Sequence, residues 1–293
     1  MADKEWSVVD LLKTTTAFFT DRKIDEARLS AELLLSHVLG MERMQLYLNH
    51  DRPVSARELE AFRDCTRQRI KGRPVQYIAG EAFFYGYRFS VDERVLIPRP
   101  ETELVLEHGM ERLAASSLPS KTAPSILDIG TGSGCIAVTL AHRLSAASLT
   151  AVDISKDALS VAGRNAETHG VGDRIRFLQA DALDSSFVDA VGGAFDMVIS
   201  NPPYIPDSEW STLQDEVRLY EPRLALVAHE GFEYYRSIVA MAPELVRKGG
   251  VLCFELHADG AEGVRNMLGS GFSRIQVVKD YGGLDRALSC VVG

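Results

Sequence analysis

The chain has 293 residues, of which 46% are hydrophobic and 25% are charged, and this is ordinary for a globular protein with one large and one small domain. With 32 basic against 41 acidic residues the formal net charge is −9, which argues against broad binding of a phosphate backbone. No apolar run reaches the length of a membrane span, and Met1–Asp10 carries charges where a signal peptide would be hydrophobic, so we expect no membrane association.

The cysteines and histidines lack the spacing of metal sites. No C-x-x-C pair and no H-E-x-x-H segment occurs, so we predict neither a zinc site nor a disulfide framework, and no metal. The cysteines are predicted to be buried thiols of a reducing compartment, which makes the cytoplasm the expected location. They are Cys65, Cys135, Cys253 and Cys290.

The first part of the chain has helical periodicity. A first apolar stripe runs from Val8 to Phe19, and a second helix is predicted from a cap at Asp25 to a stop at Gly40. Ser55 and Glu58 form a capping box that opens a third helix, ending near Gly72. Because this part contains no catalytic cluster, residues 1–73 are predicted to be a helical domain that docks the substrate.

The pattern changes from Pro74 onward. Residues 83–89 are rich in aromatic side chains and have a central Gly86, which indicates a β-hairpin. Residues 74–98 are predicted to be a hairpin linker. Pro100 suits the first turn of the helix that follows.

The remainder alternates strands and helices, which is typical of a doubly wound parallel sheet in residues 99–293. A helix is predicted to end at Gly249-Gly250 before the fifth strand, and two more strands close the chain. The first five predicted strands cover 125–129, 149–152, 175–178, 195–200 and 251–254.

A glycine turn follows the first of these strands. The turn, Gly130-Thr131-Gly132-Ser133-Gly134, lets a ligand approach the backbone at a helix N-terminus. Asp153 ends the next strand, where a carboxylate accepts both hydroxyls of a ribose. Position 135 is Cys, so the nicotinamide fingerprint G-x-G-x-x-G is incomplete, and no Lys-Ser/Thr follows to bind phosphate. A cofactor with a ribose but no phosphate fits better, and we predict S-adenosylmethionine.

Asp181 ends the third strand of the sheet. It is predicted to accept a hydrogen bond from the amino group of the adenine, with a helix cap as the alternative role.

Asn201-Pro202-Pro203-Tyr204 follows the fourth strand, and the two prolines force an extended, rigid loop. The amide oxygen of Asn201 and the carbonyl of Pro202 are two acceptors that can hold an NH2 group. Pro203 has no N–H, and Tyr204 offers a flat face to a planar group. The alternative is a structural turn.

These motifs together resemble the class I methyltransferases that act on NH2 groups. Three further segments narrow the resemblance to the release factor glutamine methyltransferase family, and it extends over nearly the whole chain, weakest before residue 70. They are residues 74–80 (PVQYIAG), residues 96–103 (LIPRPETE) and residues 217–222 (VRLYEP) with Ala225-Leu226.

The resemblance implies a five-helix N-terminal domain, a hairpin linker and a seven-stranded, Rossmann-like methyltransferase domain. The implied activity is N5-methylation of the glutamine in the Gly-Gly-Gln motif of peptide chain release factors by S-adenosylmethionine. Position 182 is Ala where relatives can carry a large side chain, so no residue is assigned to stack on the adenine.

The residue roles follow from the motifs and the resemblance. Asn201, Pro202 and Tyr204 are predicted to be catalytic, and these three with Pro203 to bind the substrate amide. The chain is expected to act as a monomer on a protein and not on DNA. The predicted cofactor-binding residues are Gly130, Thr131, Gly132, Ser133, Gly134, Asp153, Asp181, Ala182 and Asn201.

Two other functions remain open at this point. A DNA adenine-N6 or cytosine-N4 methyltransferase would use the same chemistry, but it must flip a base and hold a duplex, for which this acidic chain has no evident basic domain. A non-catalytic adaptor that binds release factor or ribosome would be expected to lose Asn201 or the glycine turn, and the sequence retains both.

Overall fold

The computed structural model describes residues 5–119 and 123–293, so Met1–Lys4, at the start of the predicted helical domain and of the Met1–Asp10 segment, lie outside the described residues. The described chain forms two compact units. The first contains the residues up to Glu81 together with Gln214–Tyr220, and the second contains Ala82–Leu213 and Glu221–Gly293. The predicted domain bounds at residues 73 and 98 stay a prediction, because a compact unit and a folding domain need not end at the same residue.

The first unit is helical. Its apolar core includes Phe19, Leu34, Leu46 and Phe62, all of them buried. The three helices expected from periodicity are confirmed, and the two short ones were not predicted individually because one and a half turns show no periodicity. With them the described residues before Glu81 contain five helices, as the resemblance implies. The helices are α1 (Val8–Asp21), α2 (Ala27–Leu39), α3 (Arg43–Leu48), α4 (Ala56–Arg69) and α5 (Val75–Ala79).

The helix ends predicted from the sequence in this unit agree with the structure, with one exception. Ser55 and Glu58 form the predicted capping box at the start of α4, and Gly40 ends α2 with a φ of 61°. The predicted cap of α2 at Asp25 is wrong. Glu26 occupies the cap position, with a φ of 50° and no side-chain hydrogen bond, so α2 begins one residue later than a capping Asp25 requires.

A segment from much later in the chain completes the first unit. It carries the short helix α10 (Asp215–Tyr220), which is numbered by its position in the chain. Glu216 forms an ion pair of 2.7 Å with Arg69, whose side chain is 5% exposed. The Tyr220 hydroxyl donates to the carbonyl of Lys71 at 3.0 Å. The helical unit is therefore discontinuous in sequence.

The predicted hairpin and the helix after it are present in the structure. Strands β1 (Glu81–Phe84) and β2 (Tyr87–Ser90) are joined by Tyr85 and Gly86, both with positive φ. Two consecutive residues with positive φ make the two-residue turn that matches the twist of paired strands. Helix α6 (Pro100–Ala114) begins at Pro100, as predicted.

The second unit is built on a seven-stranded sheet with the order β10-β11-β9-β6-β3-β4-β5. Only β11 runs antiparallel to its neighbours, so the sheet is mixed rather than wholly parallel. Its strands are β3 (Ser125–Ile129), β4 (Ser148–Asp153), β5 (Ile175–Gln179), β6 (Phe195–Ser200), β9 (Val246–Glu255), β10 (Phe272–Lys279) and β11 (Asp285–Val292).

The remaining helices of this unit connect the strands, and a two-stranded pairing lies outside the sheet. The helices are α7 (Cys135–Arg143), α8 (Lys156–Thr168), α9 (Phe187–Val191), α11 (Glu233–Leu245) and α12 (Ala261–Met267). The short pair is β7 (Ile205–Pro206) with β8 (Val227–Ala228).

The boundary between α11 and β9 differs from the prediction. The helix ends at Leu245, and β9 begins at Val246 and passes through both glycines. A Cβ on Gly250 would lie 2.8 Å from the Arg247 carbonyl oxygen and 3.0 Å from that of Asp196. The glycine is thus required by close backbone contact within the strand, where the pairing of β6 with β9 also shifts register, and not by a helix end.

Helices cover both faces of the sheet. Met197 and Ile199 of β6 belong to the apolar cluster that contains α6 and α7, whereas Val198 packs in the cluster that contains α11. This alternation is the two-residue period of a strand, and it leaves the carboxyl ends of the parallel strands as one polar edge. The four cysteines are buried thiols, as predicted. No helix within residues 5–119 and 123–293 combines the length and apolar character needed to cross a bilayer.

Candidate active site

The glycine turn connects β3 to α7 at the polar edge of the sheet. Gly130, Gly132 and Gly134 all have positive φ, at 77°, 56° and 80°. A Cβ on Gly134 would lie 3.0 Å from the Cβ of Ala162 in α8, so only glycine fits there without displacement. The backbone N–H groups of Gly130 and Thr131 donate to the carbonyl of Val152, which fixes the turn against β4.

Asp153 ends β4 beside this turn. One carboxylate oxygen accepts the N–H of Gly132 and the other accepts the N–H of Ser155, each at 2.9 Å. Burial raises the pKa of the carboxyl above its ordinary value, while these backbone donors oppose the shift. Each oxygen keeps a further lone pair, so the side chain can still accept hydrogen bonds from two hydroxyl groups.

Asp128 is a buried carboxylate that supports the glycine turn, and sequence reasoning missed it. It is fully buried in β3 and accepts a 2.7 Å hydrogen bond from the Thr131 hydroxyl. Burial raises the pKa of this carboxyl to about 7, and the hydrogen bonds from the Thr131 hydroxyl and the backbone of Ala137 oppose the shift. The available signal was a carboxylate inside an otherwise apolar strand, directly before the glycine turn.

Asp181 and Ala182 lie after β5 and line the same cleft. Asp181 accepts the N–H of Leu183 at 2.8 Å, so the alternative local role in a turn is also present. Tyr234 of α11 and Ile154 line the cleft as well. Burial, and then the charge of Asp181, raise the pKa of Tyr234. Beside the small Ala182, these two side chains supply the larger apolar and aromatic surface, and neither was predicted.

The Asn-Pro-Pro-Tyr loop leaves β6 next to the glycine turn. The hydroxyl of Ser200 donates to the carbonyl of Ile129 at 2.7 Å, and a Cβ on Gly130 would lie 3.6 Å from the Asn201 carbonyl oxygen. Asn201 donates through Nδ2 to the hydroxyl oxygen of Thr102 at 3.2 Å. Asn201, Pro202 and Pro203 line the cleft.

Tyr204 is oriented by a different neighbour. Its hydroxyl donates to Glu255 Oε1 at 3.2 Å, and its ring lies edge-on to His257 with 5.8 Å between centroids. Burial and the adjacent Glu255 raise the pKa of the phenol. The residue is not among those that line the cleft, so its predicted contact with the amide plane stays a prediction.

Thr102 and Glu255 are further residues that the sequence did not indicate. Each is 2% exposed, and the Thr102 hydroxyl donates to Glu255 Oε2 at 2.5 Å. Glu255 ends β9, and its main-chain carbonyl accepts the hydroxyl of Tyr235 at 2.8 Å. Burial raises the pKa of its carboxyl to about 7, opposed by the hydrogen bonds from Thr102 and Tyr204.

One cleft of about 1070 Å³, counting the part open to solvent, gathers nearly all the predicted residues. Of the predicted cofactor and substrate residues, Gly134 and Tyr204 alone are not in its lining, and Gly134 acts by permitting the close approach of α8.

The donor and acceptor set of the cleft suits S-adenosylmethionine. Asp153 provides acceptors for a ribose, and Ile154, Ala182 and Ile238 provide an apolar wall for a nucleobase. The cleft, which includes space open to solvent, is about as large as the largest small-molecule sites, and the residues present fit this group.

Two family models match the chain. The PrmC N-terminal domain matches residues 10–80, and the Methyltransferase small domain matches residues 106–217. A solved structure of the delta-N METTL16 MTase domain is 18% identical with a TM-score of 0.50, covering 78% of this chain and 98% of that chain. At this identity the likeness supports the fold alone.

Relatives with high identity align over nearly the full length. The release factor glutamine methyltransferase of Chlorobaculum tepidum is 71% identical over 289 residues, 99% of this chain and 98% of that protein. The protein of the same name from Geobacter sulfurreducens is 39% identical over 291 residues, 98% of each chain.

Proposed function

This chain belongs to the release factor glutamine methyltransferase family, and we propose that it methylates the N5 side-chain nitrogen of the glutamine in the Gly-Gly-Gln motif of peptide chain release factors. S-adenosylmethionine is the methyl donor. The observation that carries the proposed site is the orientation of Asn201, which lines the cleft of Asp153 and the glycine turn. Its Nδ2 is engaged with Thr102, which leaves Oδ1 as the acceptor for a substrate N–H.

The protein has to orient a weak nucleophile. The lone pair of a carboxamide nitrogen is delocalised into its carbonyl, so the nitrogen must be held with its lone pair toward the methyl donor. We assign Asn201 Oδ1 and the carbonyl of Pro202 as acceptors of the two N–H hydrogens. Both acceptors favour the positive charge that grows on nitrogen during transfer, and both reduce the orientational freedom that would otherwise be lost in the transition state.

The donor supplies an electrophilic methyl group on a sulfonium, and no strong base is needed before transfer. Asp153 binds the ribose hydroxyls, and Asp181 accepts from the adenine amino group. The half-buried ring of Tyr234 and the side chain of Ile154 line the cleft and would hold the base in place of a large residue at position 182. Tyr204 is held by Glu255 and supports the loop that carries Asn201.

The helical unit provides the docking surface for the release factor. The PrmC N-terminal domain model matches residues 10–80, and the described residues of this unit contribute none of the cleft lining. Helix α3 exposes Met44 and Leu48, at 70% and 73%, beside Tyr47. Three exposed apolar side chains on one short helix are a surface that a protein partner can cover.

Replacing Met44 and Leu48 together by serine tests this docking surface. The double variant is expected to raise the KM for a full-length release factor and to leave kcat and the KM for a short Gly-Gly-Gln peptide unchanged. Ile70→Ser is the matched control, since Ile70 is an exposed apolar residue of the same unit outside α3. Equal KM values for all variants would exclude α3 as the surface.

The remaining assignments concern the setting of the reaction. We propose that the protein acts as a monomer in the cytoplasm on a protein partner and not on DNA. The net charge of −9 disfavours a duplex, and the buried cysteines suit a reducing compartment.

Incubation with labelled S-adenosylmethionine and either a release factor or duplex DNA tests the function. We expect one methyl group on the peptide that contains Gly-Gly-Gln and none when its glutamine is replaced by glutamate. Label on DNA with none on the release factor would refute the proposal.

A further inference from the structure

A chain of hydrogen bonds runs from Asn201 through Thr102 to the buried Glu255, and it determines which end of the Asn201 amide faces the cleft. An asparagine side chain has an acceptor end and a donor end of nearly the same shape. The proposed role of Asn201 needs the acceptor end toward the substrate, because the substrate nitrogen carries two hydrogens. If the amide were rotated by half a turn, the hydrogens of its own NH2 group would face the hydrogens of the substrate nitrogen.

The hydroxyl of Thr102 is the group in contact with the donor end, at 3.2 Å. A threonine hydroxyl can donate or accept, so by itself it does not select an orientation of the amide. It accepts from Asn201 only when its own hydrogen is used elsewhere. In the structure that hydrogen is directed to Glu255 Oε2, at 2.5 Å.

Glu255 therefore sets the direction of the whole chain. An ionised carboxylate only accepts, so it holds the Thr102 hydrogen, and the Thr102 oxygen then accepts from Asn201. The other carboxylate oxygen accepts the hydroxyl of Tyr204, which belongs to the same loop. One buried carboxylate thus orients both polar side chains of the Asn-Pro-Pro-Tyr loop.

We propose that Thr102 and Glu255 are positioning residues for methyl transfer, which act through Asn201 by holding its amide oxygen toward the substrate nitrogen. This inference rests on the proposed role of Asn201 and adds which residues keep its amide oxygen, rather than its NH2 group, toward the substrate. A carboxylate that is 2% exposed is costly to bury, and its two hydrogen bonds to site residues are consistent with retention for orientation.

Protonation of Glu255 reverses the polarity of the chain. A neutral carboxyl can donate to Thr102, whose own hydrogen is then released toward Asn201, where it favours the flipped amide. Because the pKa of Glu255 is raised to about 7, the competent form prevails above that pH and is lost as the pH falls through it. The charged and titratable groups around the carboxyl are Glu101 on α6, Cys135 on α7, Tyr204 on the loop with the imidazole of His257 beside it, Tyr235 on α11 and Arg286 on β11.

The first test separates positioning from stability. Thr102→Val removes the hydroxyl at constant shape and is expected to lower kcat about tenfold or more, with little change in the KM for release factor or in the Kd of S-adenosylmethionine. Thr102→Ser restores the hydroxyl and most of the rate. Ser289→Ala is the matched control. Ser289 of β11 forms a 2.8 Å hydrogen bond with the buried His108, which lies on α6 like Thr102, and its replacement should leave kcat unchanged.

A double-mutant cycle distinguishes this inference from the function on which it rests. In the Asn201→Ala background, Thr102→Val should cause no further loss of rate, because the relay then has nothing to orient. If Asn201→Ala itself reacts at the parental rate, the proposed role of the loop fails. If Asn201→Ala is slow but Thr102→Val keeps the parental kcat, or lowers kcat equally in both backgrounds, the positioning role alone is overturned.

A second measurement follows the side-chain amide signal of Asn201 in the parent chain and does not require catalysis. The side-chain ¹⁵NH2 signal of Asn201, identified by its loss in Asn201→Ala, should shift as the pH is lowered through about 7. The shift should vanish in Glu255→Gln and persist in His257→Gln, which removes the titratable ring beside Tyr204. A signal independent of pH, or one that titrates equally in Glu255→Gln, overturns the proposal.

Discussion

Gly134→Ala is expected to destabilise the protein more than an ordinary glycine replacement. The residue has a φ of 80°, and placing an L-residue in that region costs about 1–2 kcal/mol. The new Cβ would also lie 3.0 Å from the Cβ and 3.2 Å from the Cα of Ala162. Overpacking of this kind costs about 1–3 kcal/mol, so the total loss should be about 2–5 kcal/mol.

Gly170→Ala is the control for the backbone contribution. Gly170 has a φ of 66°, but a Cβ there meets no atom within 4 Å. Its loss should therefore be confined to about 1–2 kcal/mol. The measurement is urea unfolding without cofactor, with both variants compared at an unchanged m-value.

The steric part can be relieved at the partner residue. Ala162→Gly in the Gly134→Ala background should recover some of the loss, though not all, because the Cα and carbonyl oxygen of residue 162 remain within 3.5 Å. In the parent chain the same change should destabilise, since it places a glycine inside α8. Equal losses in the free energy of unfolding for Gly134→Ala and Gly170→Ala would refute the argument that close contact with α8 requires a glycine at position 134.

Three further outcomes are expected. Asp153→Ala should weaken S-adenosylmethionine binding more than about tenfold in calorimetric titration, because it removes a charged acceptor worth about 1.5–3 kcal/mol, and unchanged affinity would exclude the residue from the cofactor site. Asn201→Ala should lower the rate at saturating substrate by about a hundredfold or more, since an N–H is left unpaired and alignment is lost, whereas Asn201→Asp should keep some activity. Asp128→Asn should raise the free energy of unfolding relative to the parent at pH 8. The folded pKa of Asp128 lies at about 7, above the ordinary 3.8, so this carboxyl lowers stability as the pH rises between those values, and a parallel pH dependence of both proteins in urea unfolding would contradict this.

The sequence predicted the features that are local in the chain. Strand β6 has the predicted bounds and helix α7 begins directly after the glycine turn, because an apolar run and a glycine turn can each be read from consecutive residues. Asp153 and Asn201 could be placed together because the carboxyl ends of parallel strands share one edge.

What the sequence could not predict depends on contacts between distant residues. Thr102 and Glu255 are 153 positions apart, and neither a threonine in a helix nor a glutamate at a strand end differs locally from its solvent-exposed counterparts. Gly250 misled the placement of a helix end because the glycine is required by close contacts in the folded sheet, with the carbonyls of Arg247 in β9 and Asp196 in β6. Helix α3, with six residues, is too short to show a period.

The return of Gln214–Tyr220 to the helical unit affects how the chain can be synthesised and rearranged. Arg69 and Glu216 are 147 positions apart, so the buried guanidinium of Arg69 lacks this carboxylate partner until translation has passed well beyond the Asn-Pro-Pro-Tyr loop. The unit that emerges first from the ribosome therefore completes its contacts late. For the same reason, a chimera that exchanges this unit between relatives must carry both segments, because a single crossover near Glu81 would separate Arg69 from its own counter-ion.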